Sequence, residues 1–137
     1  MSRDVFGSMP HLQWLDLSNN QLDEIDYDTF KNTRRLQVIN LSHNKITDIP
    51  MDFFRYTRDI RIINLSHNFI RGLHENFFGG DGIQYLDLSH NLFTKVPALA
   101  LSNLAALTLS ELDLSHNNIA VLQSIDLSNK FRVRKFC

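Results

Sequence analysis

Four histidines, His43, His67, His90 and His116, each stand directly after a serine and directly before an asparagine. Imidazoles beside hydroxyls are raw material for nucleophilic catalysis, and four imidazoles could hold a transition metal. The spacing argues against both. Ser and His recur together at offsets of 24, 23 and 26 residues, with no third group to orient a nucleophile–base pair. Zinc needs ligands that converge tetrahedrally, whereas evenly repeated histidines run parallel. Cys137, the single cysteine, is the last residue, which excludes an internal disulfide, a cysteine-based zinc site and a CxxC redox pair. The cluster Gly79-Gly80-Asp81-Gly82 lacks the strand–GxGxxG–helix context of a nucleotide site and reads as a loop. No enzyme activity, cofactor or metal is therefore expected, and no small-molecule substrate.

The same spacing organises the rest of the chain. Five segments share one pattern: LQWLDLSNNQL from Leu12, LQVINLSHNKI from Leu36, IRIINLSHNFI from Ile60, IQYLDLSHNLF from Ile83 and LSELDLSHNNI from Leu109. Their anchoring asparagines, Asn20, Asn44, Asn68, Asn91 and Asn117, lie 24, 24, 23 and 26 residues apart. This is the leucine-rich-repeat pattern LxxLxLxxNxL at its usual period.

Each position in the pattern has a physical cause. Leu15 and Leu17 are two apart, so they point to one face of a short strand while Trp14, Asp16 and Ser18 point to the other. One unit cannot bury its own apolar face, so neighbouring units must stack into a parallel sheet. Asparagine both donates and accepts, and a column of them can satisfy backbone groups that successive turns leave unpaired. Phe6, Phe30, Phe54 and Phe77 precede the first apolar position of four units by six residues and are expected to fill the back of the core. Pro50 and Pro97 mark where the chain turns into that back segment. The stretch Leu99 to Leu109 is longer than its counterparts and is expected to form a helical turn or two.

The expected fold is an α/β-type solenoid: a right-handed superhelix with a short-stranded parallel sheet on its concave side and a mostly irregular convex side. Strands are expected near residues 14–16, 38–40, 62–64, 85–87 and 111–113. Residues 1–11 read as the convex tail of an incomplete preceding unit, 12–127 as the five repeats, and 128–137 as a truncated, non-repeat basic tail. The chain is thus expected to be part of a longer array.

Composition narrows the function. The 137 residues are 43% apolar and 21% charged, with 14 Lys+Arg against 15 Asp+Glu, a net charge of −1. No overall basic surface points to nucleic acid. No apolar run approaches the ~18 residues of a membrane span. The opening MSRDVFGSMPHLQW has no h-region, so neither signal peptide nor anchor is read, and membrane attachment would come only through parts outside this sequence.

From Phe6 to Leu127 the sequence resembles the leucine-rich-repeat superfamily. The units of about 24 residues, the LSHN turns and the convex phenylalanine are similar to its extracellular class. Within that class, LSNLAALTLSELDLSHNNIA (101–120) and SIDLSNKFR (124–132) resemble an insect photoreceptor adhesion type. The resemblance implies a lipid-anchored cell-surface glycoprotein that mediates adhesion.

Three columns are expected across the concave face. Trp14, Val38, Ile62, Tyr85 and Glu111 form the first, an apolar stripe suited to a protein partner, homophilic or heterophilic. Asp16, Asn40, Asn64, Asp87 and Asp113 form the second and could hydrogen-bond the same partner. Calcium is not expected there, because a straight column does not enclose an ion. Ser18, Ser42, Ser66, Ser89 and Ser115 are expected to bond locally at the turn. Asn40-Leu41-Ser42 and Asn64-Leu65-Ser66 are also glycosylation sequons, whose glycans would cover part of that stripe. The function expected is non-catalytic cell–cell adhesion. A ligand-recognising receptor ectodomain and a matrix or scaffold protein are the alternatives.

Overall fold

The computed structural model describes residues 5–78, 82–102 and 109–120, together with the backbone of 132–134. Six three-residue strands follow one another: β1 (Trp14–Asp16), β2 (Val38–Asn40), β3 (Ile62–Asn64), β4 (Tyr85–Asp87), β5 (Glu111–Asp113) and β6 (Arg132–Arg134). They form one sheet in the order β1-β2-β3-β4-β5-β6, every neighbouring pair parallel. β1 to β5 are brief because only the central residue and the leucine two positions on turn inward. Ile39, Ile63, Leu86 and Leu112 are fully buried at the centres, with Leu41, Leu65, Leu88 and Leu114 beside them. A neighbouring coil on each side removes that surface from water, which contributes about 1.5–3 kcal/mol per side chain.

The convex wall is built from phenylalanine. Phe6, Phe30, Phe54 and Phe77 are all buried, and Phe53 and Phe93 join them. Phe6 stacks on Phe30 at 5.7 Å, and Phe30–Phe53, Phe53–Phe54 and Phe54–Phe77 follow edge to face at 4.8–5.1 Å. The core therefore lies as one strip between the sheet and this aromatic spine. The lengthened fourth return holds a single short helix, α1 (Ala98–Ser102), begun just after Pro97, where a missing N–H costs nothing. Residues 103–108 of that stretch, and Gly79, Gly80 and Asp81 of the glycine cluster, lie outside the described residues.

The five strands of the repeats fall on the residues that the spacing picks out. The sixth does not: β6 pairs with β5 inside the segment that the sequence reads as a basic tail. Arg132-Val133-Arg134 alternates with the period of a strand, and Val133 takes the register of Leu112. Flanking charge conceals the alternation when composition alone is read. Ile125 to Lys130 and Cys137 lie outside the described residues.

Candidate interaction surface

Strand register sets the concave face. Trp14, Val38, Ile62, Tyr85 and Glu111 lie opposite one another in successive strands, and Arg132 continues the row in backbone register. Trp14 is 62% exposed and Ile62 37%, while Val38, Tyr85 and Glu111 are half-buried. Over its first four strands the row is thus an apolar strip, most open to solvent at Trp14.

The next row is bound into its own turns. The Oδ1 atoms of Asp16, Asn40, Asn64, Asp87 and Asp113 accept the backbone N–H of Ser18, Ser42, Ser66, Ser89 and Ser115 at 2.8–3.0 Å. Ser42 and Ser66 also donate their hydroxyls to Asn40 and Asn64 at 2.7 Å. The Ser18 hydroxyl and N–H, with a smaller contribution from Asn40, hold the Asp16 carboxyl below the ordinary carboxylate range. This row therefore terminates strands before it can serve a partner, and its sequon asparagines have their acceptor atoms engaged.

Behind it runs the asparagine column. Asn44 donates Nδ2 to the carbonyls of Leu41 and Ser42 in its own turn and of Leu17 in the preceding coil, and its Oδ1 accepts from Leu22 N–H at 3.1 Å. Asn68, Asn91 and Asn117 repeat this set, reaching back to Leu41, Leu65 and Leu88 at 2.9–3.0 Å. Asn20, in the first coil, bonds among the described residues only within its own turn, to Leu17 and Ser18.

Each ladder asparagine is preceded by a residue in the left-handed region: Asn19, His43, His67, His90 and His116, with φ of 52–55°. Asn and His tolerate that region better than most side chains. The conformation turns the side chain outward, and its consequence was not legible from spacing. The four imidazoles stack face to face, His43–His67, His67–His90 and His90–His116, with ring centroids 4.0–4.1 Å apart and planes within 11–14° of parallel. Desolvation, then the neighbouring imidazoles His90 and His43, lower the His67 pKa against a smaller opposing effect of Asp87. Parallel rings present their nitrogens side by side rather than to a common centre. Among the described residues no group of three His, Cys, Asp or Glu is placed to hold a metal ion, and no helix is long and apolar enough to cross a membrane.

A second feature escapes column-by-column reading. An open cleft of about 520 Å³ at the edge where the chain enters β2 and β3 is lined by Arg34, Arg35, Arg55, Tyr56, Arg58 and Asp59. The signal available in the sequence was the doubled turn FKNTRR and FRYTRD, one repeat apart.

Known proteins agree with this architecture. The leucine rich repeat family model matches residues 1–46, 34–93 and 58–119, and a second leucine rich repeat model matches 108–131. Chaoptin of Drosophila melanogaster is 61% identical over 135 residues, which is 98% of this chain and 10% of that protein. Chaoptin of Tribolium castaneum is 56% identical over 41 residues, 30% of this chain and 5% of that protein. The chain thus spans about a tenth or less of the length of these relatives. Among solved structures, the leucine-rich repeat domain of APL1 superposes with a TM-score of 0.83 at 21% identity, over 93% of this chain and 33% of that one. That of APL1B gives 0.76 at 24%, over 85% and 34%. By its repeats, its sheet and these matches, the chain belongs to the leucine-rich-repeat family and is chaoptin-like within it.

Proposed function

We propose that the chain is a non-catalytic protein-interaction module of a cell-surface adhesion protein, and that the concave apolar row receives the protein partner. The observation that carries this reading is Trp14, 62% exposed on a sheet whose register lines it up with Val38, Ile62 and Tyr85. An aromatic anchor in a contiguous apolar strip is the composition of an interface core. The likeness to chaoptin, over nearly the full chain, supports adhesion and an extracellular setting.

The test displays the chain on non-adherent cells and measures aggregation against cells bearing Trp14→Asp with Ile62→Asp. Both side chains are exposed, so the circular dichroism spectrum should be unchanged while aggregation is lost. Aggregation that survives the double variant moves the contact off the concave row. Saturable capture of a soluble ligand without aggregation favours a receptor ectodomain instead. The sequons Asn40 and Asn64 lie in the same strands as Val38 and Ile62, so glycans there and a partner on the row compete for one surface.

A further inference from the structure

Charge nearly cancels over the chain but not locally. Two successive coils carry the same turn, Phe30-Lys31-Asn32-Thr33-Arg34-Arg35-Leu36 and Phe54-Arg55-Tyr56-Thr57-Arg58-Asp59-Ile60. In each, the phenylalanine and the threonine are buried, and the threonine hydroxyl donates to the phenylalanine carbonyl, at 2.9 Å for Thr33 and 3.1 Å for Thr57. Backbone bonds Thr33 N–H to Phe30, Leu36 N–H to Thr33, Thr57 N–H to Phe54 and Ile60 N–H to Thr57 close both turns at 3.1–3.2 Å. The turns are therefore anchored from within, and the residues between the anchors face water. The offset of 24 equals that from Asn44 to Asn68, so Arg34 falls in column with Arg58 and Lys31 with Arg55.

The cleft that results sets four guanidinium groups against one carboxylate, Asp59. Among the described residues, none of the four arginines is in a salt bridge, whereas neighbouring Lys31 reaches Asp28 at 4.0 Å. Arg55 lies over the Tyr56 ring, 5.8 Å from its centroid, so the ring backs a guanidinium of the cleft. Like charges gathered in a concavity raise the local potential for anions. Every base in the cleft is arginine, whose planar fork matches the oxygens of a sulfate or phosphate ester bidentately. The corresponding turns on either side, FGSMPHL and FFGGDGI, contain no Lys or Arg, so the track spans two coils only. That is short for nucleic acid, which is held by a longer basic groove with repeated stacking.

We propose that this cleft binds a short segment of a sulfated polysaccharide, the arginines taking its sulfate groups. The choice of sulfate over phosphate rests on the cell-surface reading above; the cleft itself does not. It lies at the edge where strands begin, whereas the histidine stack lies where they end, so it is separate from the sequon-bearing ends of β2 and β3.

The experiment titrates the folded chain with a heparin decasaccharide at about 0.15 M salt, and again at higher salt. Saturable binding that weakens steeply with salt is expected. Arg34→Glu with Arg58→Glu should weaken it by about tenfold or more, as for paired charges across an interface. Arg71→Glu, exposed beside Asp48 and His74 in another cleft, should stay within about twofold, since charge outside the contact acts only through screened distance. Arg34→Lys with Arg58→Lys keeps the charge and removes the fork, and should fall between them. Equal losses in the two glutamate variants would reduce the effect to diffuse attraction and overturn the site. So would absence of heparin binding, or binding as tight to desulfated heparin, polyglutamate, single-stranded DNA or phosphatidylserine vesicles. Tighter binding of inositol hexakisphosphate than of the decasaccharide would keep the cleft and overturn the sulfate assignment. Aggregation of displaying cells is a separate readout, so failure here leaves the adhesion test standing.

Discussion

At the scale of single residues, the ladder asparagines show why position within the array matters more than chemistry. Asn68 is 4% exposed and makes four hydrogen bonds, two of them to groups of the preceding coil. Asn68→Ala strands the Ile46 N–H in the dry interior, while the Leu41 carbonyl keeps Asn44 as a donor. At about 1–3 kcal/mol for a stranded group, a loss of roughly 1–3 kcal/mol in chemical denaturation is expected. Asn20→Ala removes an exposed side chain with two bonds inside its own turn, and should cost under about 1 kcal/mol. Equal costs would mean that the inter-coil bonds add nothing. The opposite case is Thr29, buried at 3% with its hydroxyl unpartnered among the described residues. Thr29→Val keeps the shape and removes the desolvated hydroxyl, so stability should be unchanged or rise by up to about 1 kcal/mol. The asparagine column was readable from its spacing. The state of Thr29 was not, because nothing in DTFKN distinguishes a satisfied hydroxyl from an orphaned one.

At the scale of the turn, four left-handed residues bring four imidazoles into one stack, in which His67 has an imidazole against either face. The pKa of His67 lies below its ordinary value, so the unfolded chain binds the proton more readily than the folded one. Stability from this source is complete above the unfolded value of about 6.5 and is lost as pH falls through the lowered folded value. Desolvation first, then His90, His43 and His116, oppose the charge and Asp87 favours it, which leaves the direction downward. The first coil supplies the control, since Asn19 holds the same conformation with φ of 55°. Replacing His43, His67, His90 and His116 by Asn should keep the fold and flatten the fall in urea midpoint between about pH 7 and 5. An undiminished slope would assign the acid sensitivity to carboxylates elsewhere. Histidine before each ladder asparagine was plain in LSHN, and parallel turns followed from the repeat. Face-to-face contact was not legible, because it depends on a positive φ that the sequence pattern does not encode. The arginine cleft stayed hidden for a related reason: its residues belong to two coils and meet only through stacking. By contrast, strand position was legible to the residue, because period-two burial and a fixed repeat leave one register that buries both Ile39 and Leu41.

At the scale of the molecule, each coil is stabilised by its neighbours, and stability should vary along the array as in a one-dimensional chain. Ile39, Ile63 and Leu86 are fully buried between flanking coils, while Leu12, Leu15, Leu17 and Leu22 of the first coil are only partly so. Phe30, Phe54 and Phe77 tie consecutive coils along the back, so opening a middle coil breaks an interface on each side. Ile63→Ala should therefore cost about 3–5 kcal/mol and Leu15→Ala roughly half as much, since a half-exposed site loses less transfer energy and leaves no closed cavity. Amide exchange gives the same ordering without mutation. Protection should be lowest around β1, rise through β2 and peak at the β3 and β4 amides, whose coils are tied to the preceding coil by their own ladder asparagine and to the next by that coil's asparagine. A flat profile, with all strands opening at one free energy, would mean that the coils fold as a single cooperative block. A graded profile would place Trp14, 62% exposed in the concave row, on a coil less rigid than those of β3 and β4. A partner bound there should then raise protection at β1 more than at β3, because binding stabilises most the segment that opens most readily.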